Sequence, residues 1–400
     1  MSEIEAYKKL NDILNSLNPY SMKLGLERVE SFLKKIGNPQ KAFESVLIGG
    51  TNGKGSVCQY LTDAFVDKGY LCGTYTSPHL IQLNERFRIN SKEIDYSTLL
   101  DYAKFIESVN FEGLTYFEFL TVMAFLIFKD FGIDVAVLEV GMGGEFDATN
   151  VVNPMLSILT SVSLDHTEHL GDTLEKIALT KSKIIKKVGV VGKNPKEVID
   201  TIKDSVSVPL YFVDDEYLKE AKALKPDAVN PNNVACFLLA CDVLNKHYGI
   251  KLNKSSVKKS YWRGRFDVFS VEGKTVIVDG AHNRAGVENL LKLLEGKIDF
   301  ENSCLIFATL KSKDWKSNIS LLADRFKNIK LPMLKYRLAE KPESIKEFLE
   351  NSSYKTSVEI FESVNQALES ALDSNFKSVV IAGSLYLVGE ILACNLNLES

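Results

Sequence analysis

The sequence predicts an α/β chain of two units. Residues 1–260 read as a parallel sheet with helices on both faces and a phosphate-binding loop of P-loop type. Residues 261–400 read as a smaller, Rossmann-like α/β domain. Three observations predict this. Short apolar runs alternate with longer helical patterns along the whole chain, and parallel strands need helical crossovers of that kind. A glycine-rich turn, Gly49-Gly50-Thr51-Asn52-Gly53-Lys54-Gly55-Ser56, joins one of those runs to a helical pattern. The alternation then restarts near residue 260, with a length that suits a domain with its own core.

The first strand is Val46–Ile48, and its helix opens at Lys54 with apolar positions Val57, Leu61, Ala64 and Phe65. Cys72–Thr76 follows as a strand, Glu118–Phe131 as a long apolar helix, and Val135–Val140 as a buried strand ending in the turn Gly141–Gly144. Met155–Thr160 and Val188–Val191 are further strands, and Asn233–Leu244 is an apolar helix. In the second unit the strands are Asp267–Val271, Thr275–Val278, Cys304–Ala308, Val358–Phe361 and Ser378–Ala382, with a helix over Gly286–Leu294. No repeat or low-complexity tract interrupts the pattern.

Composition narrows the function classes. The chain has 400 residues, 45% hydrophobic and 25% charged, with net charge −4. These are values of a soluble globular protein, and they give no basic field for nucleic acid. No apolar run reaches bilayer length, and the opening segment is charged and amphipathic, unlike a signal peptide. The six cysteines form no Cys-x-x-Cys pair, which reads as free thiols in a reducing cytoplasm.

A glycine turn between strand and helix aims backbone N–H groups and the helix dipole at one point, a phosphate site. Lys54 adds a charge for the outer phosphates and Ser56 a hydroxyl for Mg²⁺, so the expected ligand is ATP. The loop departs from a regular Walker A: Ile48 stands where that pattern has its first Gly, and Gly55 separates Lys54 from Ser56. Ligands of open parallel sheets bind beyond the C-terminal strand ends. Glu139 lies at such an end, and a carboxylate in an apolar strand asks for a partner or a metal. His166 follows another strand end, although Mg²⁺ prefers oxygen ligands.

Several further segments stand in a characteristic order. They are Gly25-Leu26-Glu27-Arg28, Ser77-Pro78-His79-Leu80, Asn84-Glu85-Arg86, Thr115-Tyr116-Phe117-Glu118, Asp147-Ala148-Thr149-Asn150 and Leu164-Asp165-His166-Thr167-Glu168. Gly264-Arg265-Phe266, Asp279-Gly280-Ala281-His282-Asn283, Lys313-Asp314 and Ala382–Glu390 follow. With the loop Gly50–Ser56, this series resembles the folylpolyglutamate synthase and dihydrofolate synthase family within the Mur ligase superfamily, over almost the whole chain.

The resemblance implies roles. Thr51, Asn52, Gly53, Lys54, Gly55 and Ser56 cradle the triphosphate, with Asn233, Arg265 and Asp279 completing the ATP site. Ser77, Glu139 and His166 hold Mg²⁺. Lys54, Lys181, Arg265 and His282 carry catalysis, with Lys181 as an N-carboxylate. Thr180, Ser182 and Lys183 around it depart from the family pattern. Met22, Lys23, Leu24, Thr115, Tyr116, Phe117, Glu118, Phe146, Asp147 and Ala148 match segments lining a pterin pocket, and Glu145 replaces the family's usual Arg. The implied reaction adds L-glutamate to a pteroate or folate carboxylate through an acyl phosphate. Both dihydropteroate and reduced folate are expected substrates, the alternative being an enzyme that only extends folate glutamate tails, and a monomer that binds small molecules only is expected. A cell-wall Mur ligase normally carries a separate domain before the loop, and 49 residues precede Gly50 here. An ATPase that drives a macromolecular partner does not need the Asp279–Asn283 motif.

Overall fold

The structure is a computed structural model that describes residues 1–17, 25–109 and 113–394. It divides into two compact units: Met1–Ser163 with Leu170–Tyr261, and Leu164–His169 with the residues from Trp262 onward.

The first unit is built on eight strands among the described residues. They are β1 (Glu44–Gly49), β2 (Cys72–Tyr75), β3 (Phe87–Ile89), β4 (Lys92–Glu93), β5 (Val135–Glu139), β6 (Leu156–Leu159), β7 (Gly189–Val191) and β8 (Leu210–Phe212). Their order across the sheet is β4-β3-β2-β5-β1-β6-β7-β8. β2, β5, β1, β6, β7 and β8 run parallel. The expected parallel sheet is thus present, with β3 and β4 added at its edge as antiparallel strands. The reason is chain length: β3 and β4 are joined by Asn90 and Ser91, both at positive φ. A two-residue hairpin of that kind cannot make a parallel crossover.

The helices of this region are α1 (Glu3–Ser16), α2 (Glu27–Lys35), α3 (Lys54–Asp67), α4 (Tyr96–Ser108), α5 (Tyr116–Asp130), the single turn α6 (Thr167–Leu170), α7 (Leu174–Ser182), α8 (Lys196–Ser205), α9 (Asp215–Leu224) and α10 (Pro231–Tyr248). Strand alternation sorts them into two layers. Leu47, Ala136, Leu138 and Leu159 face a core shared with α1, α2, α4, α5, α7 and α8. Val46, Ile48, Val137 and Ile158 face the opposite core, shared with α3, α9 and α10. α5 begins before the apolar run because Thr115 and Glu118 form a capping box. α10 likewise begins at a proline behind the Asn230 cap and stops at Gly249, in the left-handed region.

The second unit has a six-stranded sheet in the order β13-β12-β11-β14-β10-β9. Its strands are β9 (Asp267–Val271), β10 (Lys274–Val278), β11 (Ser303–Phe307), β12 (Asn328–Pro332), β13 (Ser357–Phe361) and β14 (Ser378–Ala382). All neighbours are parallel except β9 and β10, a hairpin turned by Glu272 and Gly273. α11 (Arg284–Leu294), α12 (Trp315–Ala323) and α13 (Pro342–Glu350) share a core with Ile277, Leu305, Ile329 and Leu331. α14 (Val364–Leu372) packs on β11 and β12, and α15 (Leu385–Ala393) packs on β14. The sequence reading gives no strand at β12 because Lys330 interrupts its apolar run. That lysine is buried, and its ammonium is held by Glu359 Oε1 at 2.9 Å and Ser370 Oγ at 3.0 Å.

Candidate active site

In the first unit the glycine loop leaves β1 between two neighbours, β5 and β6. Register places Ile48 beside Glu139 and Gly49 beside Leu159, so Glu139 and Thr160 flank the loop. Gly50 has φ +135°, and a Cβ there would lie 1.9 Å from Thr160 Oγ1. Gly53 has φ +89°, and a Cβ there would lie 2.1 Å from Asn233 Oδ1. Both positions therefore demand glycine for conformation and for space. The Thr160 hydroxyl donates to Asn52 O at 2.7 Å, and Ser161 O accepts from Thr51 N at 2.6 Å. The loop is thus pinned by β6 and the residues that follow it.

Two lysines converge on this loop from different elements. Lys54, the first residue of α3, donates to Gly50 O and Thr51 O, each at 3.3 Å. Lys181, near the end of α7 and 4% exposed, donates to Gly50 O at 3.0 Å. Asn233 Oδ1 is a buried acceptor without a hydrogen-bond partner beside Gly53. The Lys54 ammonium, the N-terminus of α3 and an orphaned polar atom at one glycine cradle suit a nucleotide phosphate chain, with Lys181 buried beside it.

The candidate metal ligands Ser77 and Glu139 meet at the ends of β2 and β5. Ser77 N donates to Glu139 Oε2 at 3.1 Å, and Glu139 is 6% exposed. A hydroxyl and a carboxylate are hard donors that suit Mg²⁺. Among the described residues no three His, Cys, Asp or Glu side chains form a metal cluster.

The segments expected around a flat heterocycle also converge in the first unit. The ring of Phe117, at the start of α5, lies against Gly141, where a Cβ would be 2.6 Å from Cζ. Tyr75 packs beside it, with centroids 6.1 Å apart. Asp147 Oδ2 would be 3.1 Å from the same Cβ. Phe146 is 46% exposed, and Ala148 is buried. Asp147 accepts from Met142 N at 2.9 Å and from Thr149 N at 3.0 Å and Oγ1 at 2.5 Å. Burial raises its carboxyl against those donors, which pull it down. Glu118 is engaged too: Oε2 accepts from Thr115 N at 2.7 Å and Oε1 from Arg28 Nη2 at 2.9 Å. Tyr116 follows Thr115 at the helix start. Met22, Lys23 and Leu24 lie outside the described residues.

The second unit holds its own polar cluster. Asp279, at the end of β10, accepts from Phe266 N and Ala281 N, each at 2.8 Å. Burial pushes its carboxyl up to about 6, while Arg265 draws it down. A Cβ on Gly280 would lie 2.8 Å from an Arg265 guanidinium nitrogen, so a side chain there would crowd Arg265. His282 Nδ1 donates to Gly280 O at 2.8 Å. Burial lowers the imidazole and Lys313 adds to that, while Asp165 acts the other way. Asp165 is the centre of the cluster: Lys313 Nζ lies 2.6 Å away, Asn283 Nδ2 3.4 Å and His282 Nε2 3.8 Å. Burial alone would raise Asp165, yet His282, Lys313 and His166 hold it well below the usual carboxylate range. His166 belongs to this unit, at φ +51°, with Nε2 3.2 Å from Lys313 Nζ. Asp165 and Lys313 carried no role in the sequence reading, although both stand in its motifs. Asn318, which donates to His282 O at 3.0 Å, had no sequence signal.

Comparison with known proteins fits this geometry. The family described as "Mur ligase middle domain" matches residues 48–200, and "Mur ligase, glutamate ligase domain" matches residues 264–385. The fold and the glycine-loop site therefore define a Mur-type ligase architecture. A probable dihydrofolate synthetase of Schizosaccharomyces pombe is 33% identical over 92% of this chain and 98% of its own. The structure of Escherichia coli FolC in complex with DHPP and ADP has a TM-score of 0.82 at 27% identity, covering 97% of this chain and 96% of that one. The bifunctional folylpolyglutamate synthase/dihydrofolate synthase of Yersinia pestis, complexed with AMPPNP and Mn ion, has a TM-score of 0.82 at 26% identity, covering 97% of each chain. The chain belongs to the dihydrofolate synthase/folylpolyglutamate synthase family of Mur ligases.

Proposed function

We propose that this protein is an ATP-dependent ligase that joins L-glutamate to the carboxylate of dihydropteroate and of reduced folates. The observation that carries the reading is the convergence of Lys54 and Lys181 on Gly50 O beside the Ser77–Glu139 pair. The substrate carboxylate attacks the γ-phosphate of ATP, giving an acyl phosphate and ADP. The amine of glutamate then attacks the acyl carbon, phosphate leaves, and an amide remains. Lys54, the backbone N–H groups of the loop and Arg265 offset charge on the phosphoryl group in flight. Asn233 and Asp279 help to seat the nucleotide, and His282 orients glutamate or the leaving phosphate. Ser77, Glu139 and, by the family resemblance, His166 would hold a divalent cation, Mg²⁺ in this reading, which supplies charge neutralisation between the phosphates. Positioning and electrostatics suffice, so no side-chain nucleophile enters. Phe117, Phe146 and Ala148 offer the heterocycle stacking and apolar contact.

The decisive assay measures ADP release by the wild type with dihydropteroate and, separately, with a reduced folate. Release that needs both the pteroate-type acid and L-glutamate is expected. Hydrolysis indifferent to either overturns the ligase reading, and activity on one acid alone removes the dual specificity. Lys54→Ala should cost at least about a hundredfold in kcat while circular dichroism stays native.

The reading includes an N-carboxylate on Lys181, whose amine is buried beside the loop. Carboxylation would turn that cation into an anion able to bridge to a metal. Protein equilibrated with ¹³C-bicarbonate should give a carbamate signal that Lys181→Ala lacks. No such signal in the wild type removes the modification. A cytoplasmic monomer completes the reading. Support for that compartment comes from the cysteines, which are unpaired thiols.

A further inference from the structure

We infer that Arg28 is a positioning residue for the pteroate pocket, acting through Glu118. This rests on the ligase reading above and deepens it. Arg28 stands in the first turn of α2, ninety residues from its partner, and no role was assigned to it by its motif Gly25-Leu26-Glu27-Arg28.

The Glu118 carboxylate is divided between two tasks. Oε2 closes the capping box at the start of α5 by accepting from Thr115 N at 2.7 Å, and Glu118 N returns a bond to Thr115 Oγ1 at 3.3 Å. Oε1 accepts from Arg28 Nη2 at 2.9 Å. Glu118 is 5% exposed, and burying a carboxylate costs stability unless a cation pairs with it and donors satisfy its oxygens. Arg28 supplies the cation, and the same guanidinium reaches Gly25 O at 3.4 Å.

What the pair holds in place is the first turn of α5, and that turn carries Phe117. The Phe117 ring lies against Gly141 and Tyr75, and Asp147 borders the same glycine. α2 packs against α5 and also against the 3-10 turn Ala148–Val151 that follows Asp147. One helix therefore touches both the segment bearing Phe117 and the turn that follows Asp147, and the Arg28–Glu118 bond fixes the first of these. Glu118 itself is committed to the cap and the ion pair, which makes it an anchor of the pocket; the substrate contact belongs to the Phe117 ring beside it.

The test compares wild type, Arg28→Ala, Arg28→Lys, Glu118→Gln and the double variant Arg28→Ala/Glu118→Gln in steady-state assays. Arg28→Ala should raise KM for dihydropteroate about tenfold, with KM for ATP held within about twofold. Arg28→Lys should restore most of that loss. The double variant should be no worse than the poorer single variant, since the two residues act as one unit. An unchanged KM for dihydropteroate overturns the inference, as does an equal rise in both KM values. Should Arg28→Ala fold poorly, Glu118→Gln, which keeps an acceptor for the cap, gives the same KM split or refutes it. Absence of dihydropteroate-dependent turnover in the wild type is a different result: it overturns the ligase reading.

Discussion

At the residue scale, a few side chains are held in protonation states that their surroundings impose. His79 is an instance. Burial and the neighbouring Arg86, whose Nε donates to His79 Nδ1 at 2.9 Å, lower its imidazole to about 3. The unfolded chain binds a proton there below pH 6.5, and the folded chain does not until about pH 3. The unfolded state thus holds more protons in that window, and stability rises with pH across it. Urea unfolding of the wild type should gain about 1.4 kcal/mol per pH unit from this one group. His79→Gln, which keeps an acceptor for Arg86, should show a slope smaller by that amount; equal slopes refute the assignment. Asp279 has the opposite sign. Its carboxyl is raised from 3.8 to about 6, so its ionisation costs stability as pH rises through that range.

At the element scale, the glycine loop depends on the strand beside it as much as on its own glycines. β6 contributes the Thr160 hydroxyl, which ties Asn52 O and reaches Gly49 O at 3.2 Å. Thr160→Val keeps the shape and removes both bonds. It should cost about 1 kcal/mol in stability and weaken binding of an ATP analogue several-fold, read by calorimetry. Unchanged affinity would mean that the loop holds its form without β6. The loop was legible because strand, glycines, lysine and helix are contiguous. Thr160 was not, because its contact with Asn52 spans 108 residues. The same contrast separates α5 from its partner: Thr115 and Glu118 announce a capping box three residues apart, whereas the bond to Arg28 crosses ninety.

At the scale of the whole molecule, the chain divides into two units with cores of their own, and the segment Leu164–His169 is grouped with the second. Hydrogen exchange with and without AMPPNP and Mg²⁺ should show new protection over Gly49–Ser56 and the first turn of α3, since ligand binding stabilises what it touches. Protection appearing only in the second unit would overturn the loop as the nucleotide site. By itself the sequence determined the α/β class, most strands, the glycine loop and the family, because apolar periodicity and contiguous motifs are local in the chain. It did not determine the antiparallel strands β3 and β4, or a strand around the buried Lys330, which depends on Glu359 from a neighbouring strand. Only the tertiary structure joined Lys54 and Lys181 at one carbonyl, gathered Lys313, His282 and Asn283 about Asp165, and paired Arg28 with Glu118. These meetings join residues far apart in the chain. No local propensity encodes them; they follow from which strand ends lie side by side and which helices share a face.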